Sequence, residues 1–509
     1  MIICATARSV LLSFGWLSAA ILTICMVTLS QVSFTLSLVF CAIGPLSLHY
    51  CTQAGRKFYA PIILTLLYFA SYLIPLGILL VNGDDPGGSV MAANSWRELT
   101  NVDFTPLCFT VFSGMAGIWV AVFLLERITD QRNKSLLRAS TRDRPVRGPG
   151  LEEAAGSTDT CRPRARSHQL GRLFKQSSIV SGGNASKQIE ISLWRAILFW
   201  VGATIPILVL MNILGLGRTG ITSRELPFKL AGILFYTKSI VIPFVAYWII
   251  VAAVGSKNVR SIYLVLAICV VIGFIGGLIF LSRGFAITML FVPALYLFLQ
   301  LADETWVRRL LGIFVPVVII TLALGVSLIE SMRDIVYSGG TTSITANIQG
   351  EELPGLKEGL SKLFVLASIR MTGLRELELV RKSGLEDTYG PVRVFLGDEE
   401  YCSFVMRHIF GFVNPGGDLA FGVAFGLWGW LFLGGMNIIV FAGTCLLAGL
   451  IIGVEEIWSR FDSKPLALFF AYYFALWIWE GSCASEATRH LLAALGCFLL
   501  VKTVRIRAA

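Results

Sequence analysis

The chain has 509 residues, of which 55% are hydrophobic and 15% charged, and its formal net charge is +10. Soluble domains are usually about one quarter charged, so this composition excludes soluble enzymes, secreted disulfide scaffolds and nucleic-acid binders. Residues 262–281 form a run of 20 residues without a charged side chain. Such a run crosses a hydrocarbon layer of ~30 Å at ~1.5 Å per residue, which indicates a protein with several membrane spans.

Twelve apolar segments follow one another along the chain. Each is expected to be a helix, because a span in hydrocarbon must satisfy its own backbone hydrogen bonds. They comprise residues 9–30, 32–51, 61–81, 106–125, 194–214, 231–253, 262–281, 285–301, 310–329, 419–453, 466–480 and 487–503. The predicted fold is all-α, a polytopic bundle of about 12 transmembrane helices: spans 1–4 in residues 1–125, spans 5–9 in 194–329, and a re-entrant segment with spans 10–12 in 419–509.

The distribution of Lys and Arg predicts the orientation in the membrane. With the N-terminus placed in the cytoplasm, the inner segments hold 26 of the 42 Lys and Arg residues. The outer segments hold six Lys or Arg residues if the nine of a long external loop are left out. They are left out because the preference of Lys and Arg for the cytoplasmic side applies to short loops. Both termini are therefore expected in the cytoplasm.

Two long segments interrupt the spans. Residues 126–193 are rich in Arg, Pro, Gly and Ser, and we predict a basic, largely disordered cytoplasmic loop that is attracted to anionic lipids. A regulatory or nucleic-acid role for this loop is the alternative. Residues 330–418 form a large external loop with nine Lys or Arg, 13 Asp or Glu and apolar residues at helical spacing. Long structured loops are usually functional, so candidate site residues are sought here first.

Two arginines of this loop are candidate ligands for an anion. Arg370 follows an apolar stretch and has no carboxylate one helical turn away, so its forked guanidinium is free for an external anion. Arg375 is expected on a charged helix face with Glu378 and Lys382, where ordinary ion pairing is the alternative.

Two further cations lie at or within predicted spans. Arg283 belongs to the short turn Ser282-Arg283-Gly284 and is expected at the outer membrane surface, near lipid phosphates or a lipid-linked substrate. Simple snorkelling is the alternative for this side chain. Lys238 lies seven residues into the span 231–253, where a charge is costly. A functional role and outward snorkelling are both open for Lys238.

The external loop ends in a cluster of polar residues before a glycine-rich run. His408 and Asp418 are candidates for a general base, and Arg407 is a further candidate cation. The uncharged run after Asp418 is too long for one straight span, and Gly434-Gly435 divides it into a half-helix, 419–433, and a true span, 436–453. A half-helix inside a membrane must face protein or water.

The last two apolar segments are too short to cross the bilayer. Only about 15 residues separate Pro465 from Glu480, which corresponds to ~22 Å of helix. The polar connector 480–490 is therefore expected to dip into the outer half of the membrane and to line protein or a wet cavity.

Together these features resemble the Wzy-type O-antigen and capsular polysaccharide polymerases, and more distantly the O-antigen ligases. The resemblance covers roughly residues 262–450. It rests on the Ser282-Arg283-Gly284 turn, on Arg370 and Arg375 in a large external loop, and on the segment GGDLAFGVAFGLWGWLFLGG at 416–435. The ligase spacing from a histidine to a glycine is not met at His408, because the residue eleven positions further on is Leu419.

The resemblance implies a GT-C-like architecture and polymerisation of undecaprenyl-diphosphate-linked repeat units at the external face of a bacterial inner membrane. The site residues that it implies are the diphosphate binders Arg283 and Arg370, the weaker candidates Arg375, Arg407 and Lys238, and the general base His408 or Asp418. We expect no cofactor and no metal. The implied partners are lipid-linked glycans, membrane lipids, a chain-length regulator and a flippase.

Two other classes of protein remain as alternatives. One is a ligase-like membrane glycosyltransferase, and the other is a transporter or flippase of lipid-linked sugars. A transporter would usually show duplicated halves or polar residues spread through its spans. Here the polar residues are concentrated in the external loop and at span ends, which favours the polymerase.

Overall fold

The chain is an all-α, multi-pass membrane protein, as its composition predicts. A computed structural model describes residues 3–53, 58–82, 100–142, 189–216, 230–280, 283–337, 373–396, 398–410, 426–461, 464–479 and 484–507. Within these ranges nine helices are long and apolar enough to cross a membrane. Three more apolar helices in the same ranges are shorter: Ile287–Leu301, Pro465–Trp479 and His490–Thr503.

Sixteen helices and two strands are named here in chain order. Those before the long external segment are α1 (Ala5–Leu29), α2 (Phe34–Cys51), α3 (60–82), α4 (Asn101–Arg142), β1 (Ile189–Ser192), α5 (Leu193–Ile213), α6 (Leu230–Gly255), α7 (Val259–Phe280), α8 (Arg283–Leu301) and α9 (Thr305–Tyr337). Those after it are α10 (Leu374–Lys382), α11 (Gly390–Leu396), α12 (Glu399–Phe410), α13 (Leu427–Phe432), α14 (Asn437–Phe461), α15 (Lys464–Trp479), α16 (Ala484–Thr503) and β2 (Val504–Arg507).

The segment 126–193 is more ordered at its two ends than the sequence predicts. Helix α4 continues without a break to Arg142, well beyond the predicted end of its span. Residues 126–142 contain neither Gly nor Pro, so a helix that is already nucleated in the span extends through them at little cost. Helix α9 likewise runs to Tyr337, past the predicted start of the external loop at 330.

A two-stranded parallel sheet was also not predicted. Strand β1 pairs with β2 in the register Ile189 to Val504 and Ser192 to Arg507. The sheet therefore ties the start of α5 to the end of α16. Four residues per strand are too few for alternation to stand out from a loop in the sequence.

One end of the bundle, here called the N-terminal end, is held together by carboxylates that cap helices. Asp303 accepts hydrogen bonds from the N–H groups of Thr6, at 2.9 Å, and Ala5, at 3.3 Å, where α1 begins. Glu455 accepts from the N–H groups of Tyr59, at 2.6 Å, and Ala60, at 2.8 Å, where α3 begins. Exposed N–H groups at a helix start favour such negative charge.

The connections predicted to share one side of the membrane meet at this end. Residues 5–6 contact 303, and residues 59–60 contact 455, although each pair is far apart in sequence. The predicted alternation of spans is consistent with both contacts. Which side of a membrane this end faces is a prediction from the positive charges alone.

The opposite end, here called the loop end, carries the described helices of the large external segment. Helices α10 and α11 each pack on α13, and α13 also packs on α4 and α14. The long apolar run before α14 is interrupted at Gly434 and Gly435, as expected from the sequence. Gly435 has φ of +71°, a conformation that favours glycine, and it lets the chain turn from α13 into α14.

Candidate functional site

Two spans contain a single π-helical turn each: Phe69–Leu73 in α3 and Thr237–Val241 in α6. A proline follows each turn, at Pro75 and at Pro243. Because proline has no N–H, it cannot bond to the carbonyl four residues earlier, and the wider turn accommodates its ring. Both positions read Ser-x-x-Ile-Pro, starting at Ser71 and Ser239. Isolated π-turns are frequent at functional sites, so the polar groups around these two turns are candidate site residues.

Lys238 lies within the π-turn of α6 and is buried inside the protein, with 2% of its surface exposed. Its Nζ is 4.2 Å from the ring centre of Phe280 and 5.2 Å from that of Phe235. Among the described residues none forms a hydrogen bond or ion pair with Lys238. The ammonium group is thus enclosed by protein, beside residues near the start of α6 and at the end of α7. An ammonium group that is held only by aromatic faces keeps its three donors for an anion.

A group of aromatic and imidazole side chains lies beside this π-turn. His490 of α16 is buried, and its Nδ1 is 2.7 Å from the hydroxyl of Tyr473. The rings of Tyr236 and Trp477 are each centred 5.3 Å from the His490 ring. Tyr236 directly precedes the π-turn and α16 packs against that turn, so His490 is a titratable group beside the turn that contains Lys238. Sequence reasoning placed His490 in a polar connector, but α16 begins at Ala484 and His490 belongs to it.

Arg283 occupies the first position of α8, next to the same region. Helix α8 packs against the π-turn of α6, and Phe280, three residues before Arg283, contacts Lys238. The backbone thus brings the start of α8 to the loop end, near Lys238. The side chain of Arg283 lies outside the described part of the structure.

The start of α10 packs against the π-turn of α3. A Cβ atom on Gly373 would lie 2.6 Å from the carbonyl oxygen of Ser71, so only glycine permits this approach. The Ser71 hydroxyl accepts a hydrogen bond of 2.8 Å from Nε1 of Trp479, the last residue of α15. Ser71 is about 17 Å along α3 from Ala60, so α15 ends and α10 begins roughly midway along that span. Helix α15 is therefore short, as the sequence predicts.

Three further side chains complete this region, which is called the Tyr72 site and comprises Tyr72, Trp428, Trp479 and Glu376. The ring of Tyr72 is centred 4.6 Å from that of Trp428 and 6.2 Å from that of Trp479. Glu376 is 5% exposed, accepts a 2.7 Å hydrogen bond from the N–H of Gly373 and interacts electrostatically with Tyr72. The hydroxyl of Tyr72 and Nε1 of Trp428 are buried and have no hydrogen-bond partner within the described chain.

The charged face predicted for α10 is present in part. Arg381 donates two hydrogen bonds to Glu378, at 2.9 and 3.0 Å, and Lys382 lies 3.4 Å from the same carboxylate. The hydrogen bonds to Glu378 raise the pKa of Arg381. Arg381 and Lys382 also interact with Asp103 at the start of α4. These two cations are therefore neutralised within the protein.

The remaining predicted residues either lie outside the described part of the structure or are exposed on it. Arg375 belongs to α10, but its side chain is not described, and Arg370 and Asp418 lie outside the described residues. Arg407 and His408 are exposed on α12. The His408 ring stacks on Phe404 with ring centres 5.5 Å apart, which is an ordinary packing contact of neighbours on one helix face.

Comparisons with known proteins leave the chain without a demonstrated family. No family model matches it, and neither a curated protein nor a solved structure is significantly similar to it. Among the described residues, no three His, Cys, Asp or Glu side chains gather as metal ligands would. The candidate site thus consists of buried donors and charges of the chain itself: Lys238, His490 and the Tyr72 site.

Proposed function

We propose that the protein polymerises undecaprenyl-diphosphate-linked oligosaccharide repeat units at the external face of a bacterial inner membrane. The product would be an O-antigen, a capsule or an exopolysaccharide. The observation that carries the proposal is the ammonium group of Lys238, which is buried over two aromatic rings and has no hydrogen-bond or ion-pair partner among the described residues. A cation buried within a span points to a functional role, and an anion is the ligand that its donors suit.

The reaction transfers the growing glycan from its lipid carrier to a new repeat unit. A hydroxyl oxygen of the acceptor sugar attacks the anomeric carbon of the donor glycan, and a new C–O bond forms. The bond from that carbon to the diphosphate oxygen breaks, and undecaprenyl diphosphate leaves with the electron pair. The proton of the acceptor hydroxyl passes to a base. Negative charge thus develops on the diphosphate, where fixed cations lower the barrier.

The proposed roles follow from this charge development. Lys238 binds a phosphate oxygen within the bundle, and Arg283, at the start of α8, binds the diphosphate from the outer surface. Arg370 and Arg375 remain proposed binders of substrate on the basis of the resemblance, because a guanidinium fork binds phosphate through two hydrogen bonds. Asp418 or His408 remains the proposed base. The exposure of Arg407 and His408 favours contact with the glycan outside the bundle.

Inactivation of the gene in its own host distinguishes the proposed activity from its alternatives. Loss of a polymerase leaves single repeat units on the lipid carrier at the external leaflet. Loss of a ligase leaves long polymer on the carrier, and loss of a flippase leaves single units at the cytoplasmic leaflet. Lipid extraction, sizing of the released glycan and protection from an added glycosidase separate the three outcomes. Accumulation of anything other than external single units contradicts the proposal.

A further inference from the structure

Helix α11, in the segment predicted to be an external loop, exposes an apolar face. Tyr389, which directly precedes α11, is 73% exposed, and Val392 and Leu396 are 53% and 67% exposed. These residues are three and four positions apart, so they share one side of the helix. Pro391 and Val394, on the other side, are buried. Exposed apolar residues that gather on one face mark a surface for a protein partner or a membrane.

The position of α11 places this face at the boundary of the membrane. The N–H of Asp387 donates a 3.0 Å hydrogen bond to the carbonyl oxygen of Leu433. A Cβ atom on Gly390 would lie 3.3 Å from the Cβ of the same leucine. Leu433 is four residues before Asn437, where the apolar span α14 begins. Helix α11 therefore starts beside the end of a span, where hydrocarbon gives way to head groups.

A neighbouring helix extends the lipid-facing surface of the bundle to α11. Helix α11 packs against α16. Four leucines of α16 are more than half exposed: Leu491, Leu492, Leu495 and Leu499. On an apolar helix of a membrane protein such side chains face the acyl chains of lipids. Helix α11 is thus attached directly to a helix with a lipid-facing side.

We propose that α11 lies in the interfacial layer of the leaflet at the loop end, with its exposed face in contact with lipid. Interfacial helices bury their apolar side about 5 to 10 Å below the head groups. Val392 and Leu396 suit the acyl chains, and Tyr389 suits the boundary because its ring is apolar and its hydroxyl is polar. The one cation of α11, Arg393, is paired with Asp398 at 2.8 Å and can stay at the level of the head groups.

This inference goes beyond the proposed function, because it holds for any activity of the protein. The sequence places all of residues 330–418 outside the membrane. Contact of α11 with lipid instead anchors part of this segment on the leaflet, next to the ends of α13 and α16. Under the proposed function, that is the leaflet in which the lipid-linked substrates lie.

The test measures how lipid and water reach this face in the full-length protein. Leu396→Cys carries a fluorescent label in phosphatidylcholine nanodiscs, which leave both membrane faces open to water. The quenchers are a nitroxide on the lipid acyl chain, close to the head group, and iodide in the buffer. Leu495→Cys on α16 is the lipid-facing control, and Glu400→Cys, exposed and polar on α12, is the control in water. Wild-type protein taken through the same labelling supplies the blank for the native cysteines.

Lipid contact predicts that the label at position 396 behaves like that at 495. The lipid nitroxide should quench it at least about 3-fold more than the label at 400, and iodide at least about 3-fold less. Equal quenching by iodide at 396 and 400 would overturn the proposal, because the face is then open to water. Weak quenching by both agents would overturn it as well, since a second copy or another protein then covers the face. Val392→Cys, on the same face, should repeat the result and replaces Leu396→Cys if that variant does not fold.

Discussion

Replacement of Lys238 by methionine should raise stability and abolish most activity. A lysine charge within a span costs up to about 3 kcal/mol. The two cation–π contacts, at 4.2 and 5.2 Å, offset about 1 to 2 kcal/mol of this cost. Methionine fills a similar volume and needs no counterion, so Lys238→Met should be about 1 kcal/mol more stable than the wild type. Loss of one fixed donor at a developing charge should lower the rate by about 10²- to 10³-fold.

The assay measures thermal unfolding in detergent and chain growth in proteoliposomes for the same preparations. Lys502→Met is the control, because Lys502 also lies over an aromatic ring, 5.6 Å from Phe498, but is at the C-terminal end of α16. Lys502→Met should retain chain growth. Full activity in Lys238→Met would refute the role of the buried cation. A marked fall in Tm would refute the claim that Lys238 has no hydrogen-bond or ion-pair partner.

Three further changes test other parts of the structure. Glu455→Gln should lower the unfolding free energy by about 1 to 2 kcal/mol, because the charged cap on the Tyr59 and Ala60 N–H groups is lost. The control Glu456→Gln leaves this cap in place and should have little effect. Equal Tm values for the two variants would contradict the role of the cap. Hydrogen bonds from Thr6 lower the pKa of Asp303, so its contribution is complete above pH ~4 and is lost as the pH falls further. Asp303→Asn should therefore cost about 0.5 to 1 kcal/mol at pH 7 and progressively less as the pH falls below about 4, and a difference in Tm that does not change with pH would contradict the cap. Deletion of residues 145–185 should leave chain growth near the wild-type level, because it removes no part of α4 or β1, and loss of activity at normal protein levels would indicate a regulatory role.

The bundle itself was predictable because its signal is long and local. Uncharged runs of about 20 residues indicate spans without any knowledge of their neighbours. Two further features were predictable for the same reason. The shortness of α15 depends on the length of its apolar run alone, and the break at Gly434-Gly435 depends on the two glycines. The extension of α4 to Arg142 was not predicted. Residues 126–142 are basic and polar, which is typical of disorder, but they contain neither Gly nor Pro, which favours a helix.

The buried polar groups were harder to predict because they come together from distant parts of the chain. Tyr72 looks like one more apolar residue of a span, and Glu376 looks like one of 13 acidic residues in a loop. Their contact depends on Gly373 docking at Ser71, some 300 residues away in sequence. One local signal was available: the repeated Ser-x-x-Ile-Pro pattern at 71–75 and 239–243 indicates a disturbed helix at both π-turns.

We propose that this protein alone joins lipid-linked repeat units, with Lys238 at the diphosphate. The most direct measurement uses purified protein in liposomes that contain only undecaprenyl-diphosphate-linked repeat units, and it follows glycan length and released undecaprenyl diphosphate together. A polymerase with Lys238 at the diphosphate should form a ladder of polymer with one carrier released for each new linkage, and Lys238→Met should reduce both by at least about 10²-fold. Transbilayer movement of the repeat units without chain growth, or equal polymer from Lys238→Met, would contradict this proposal.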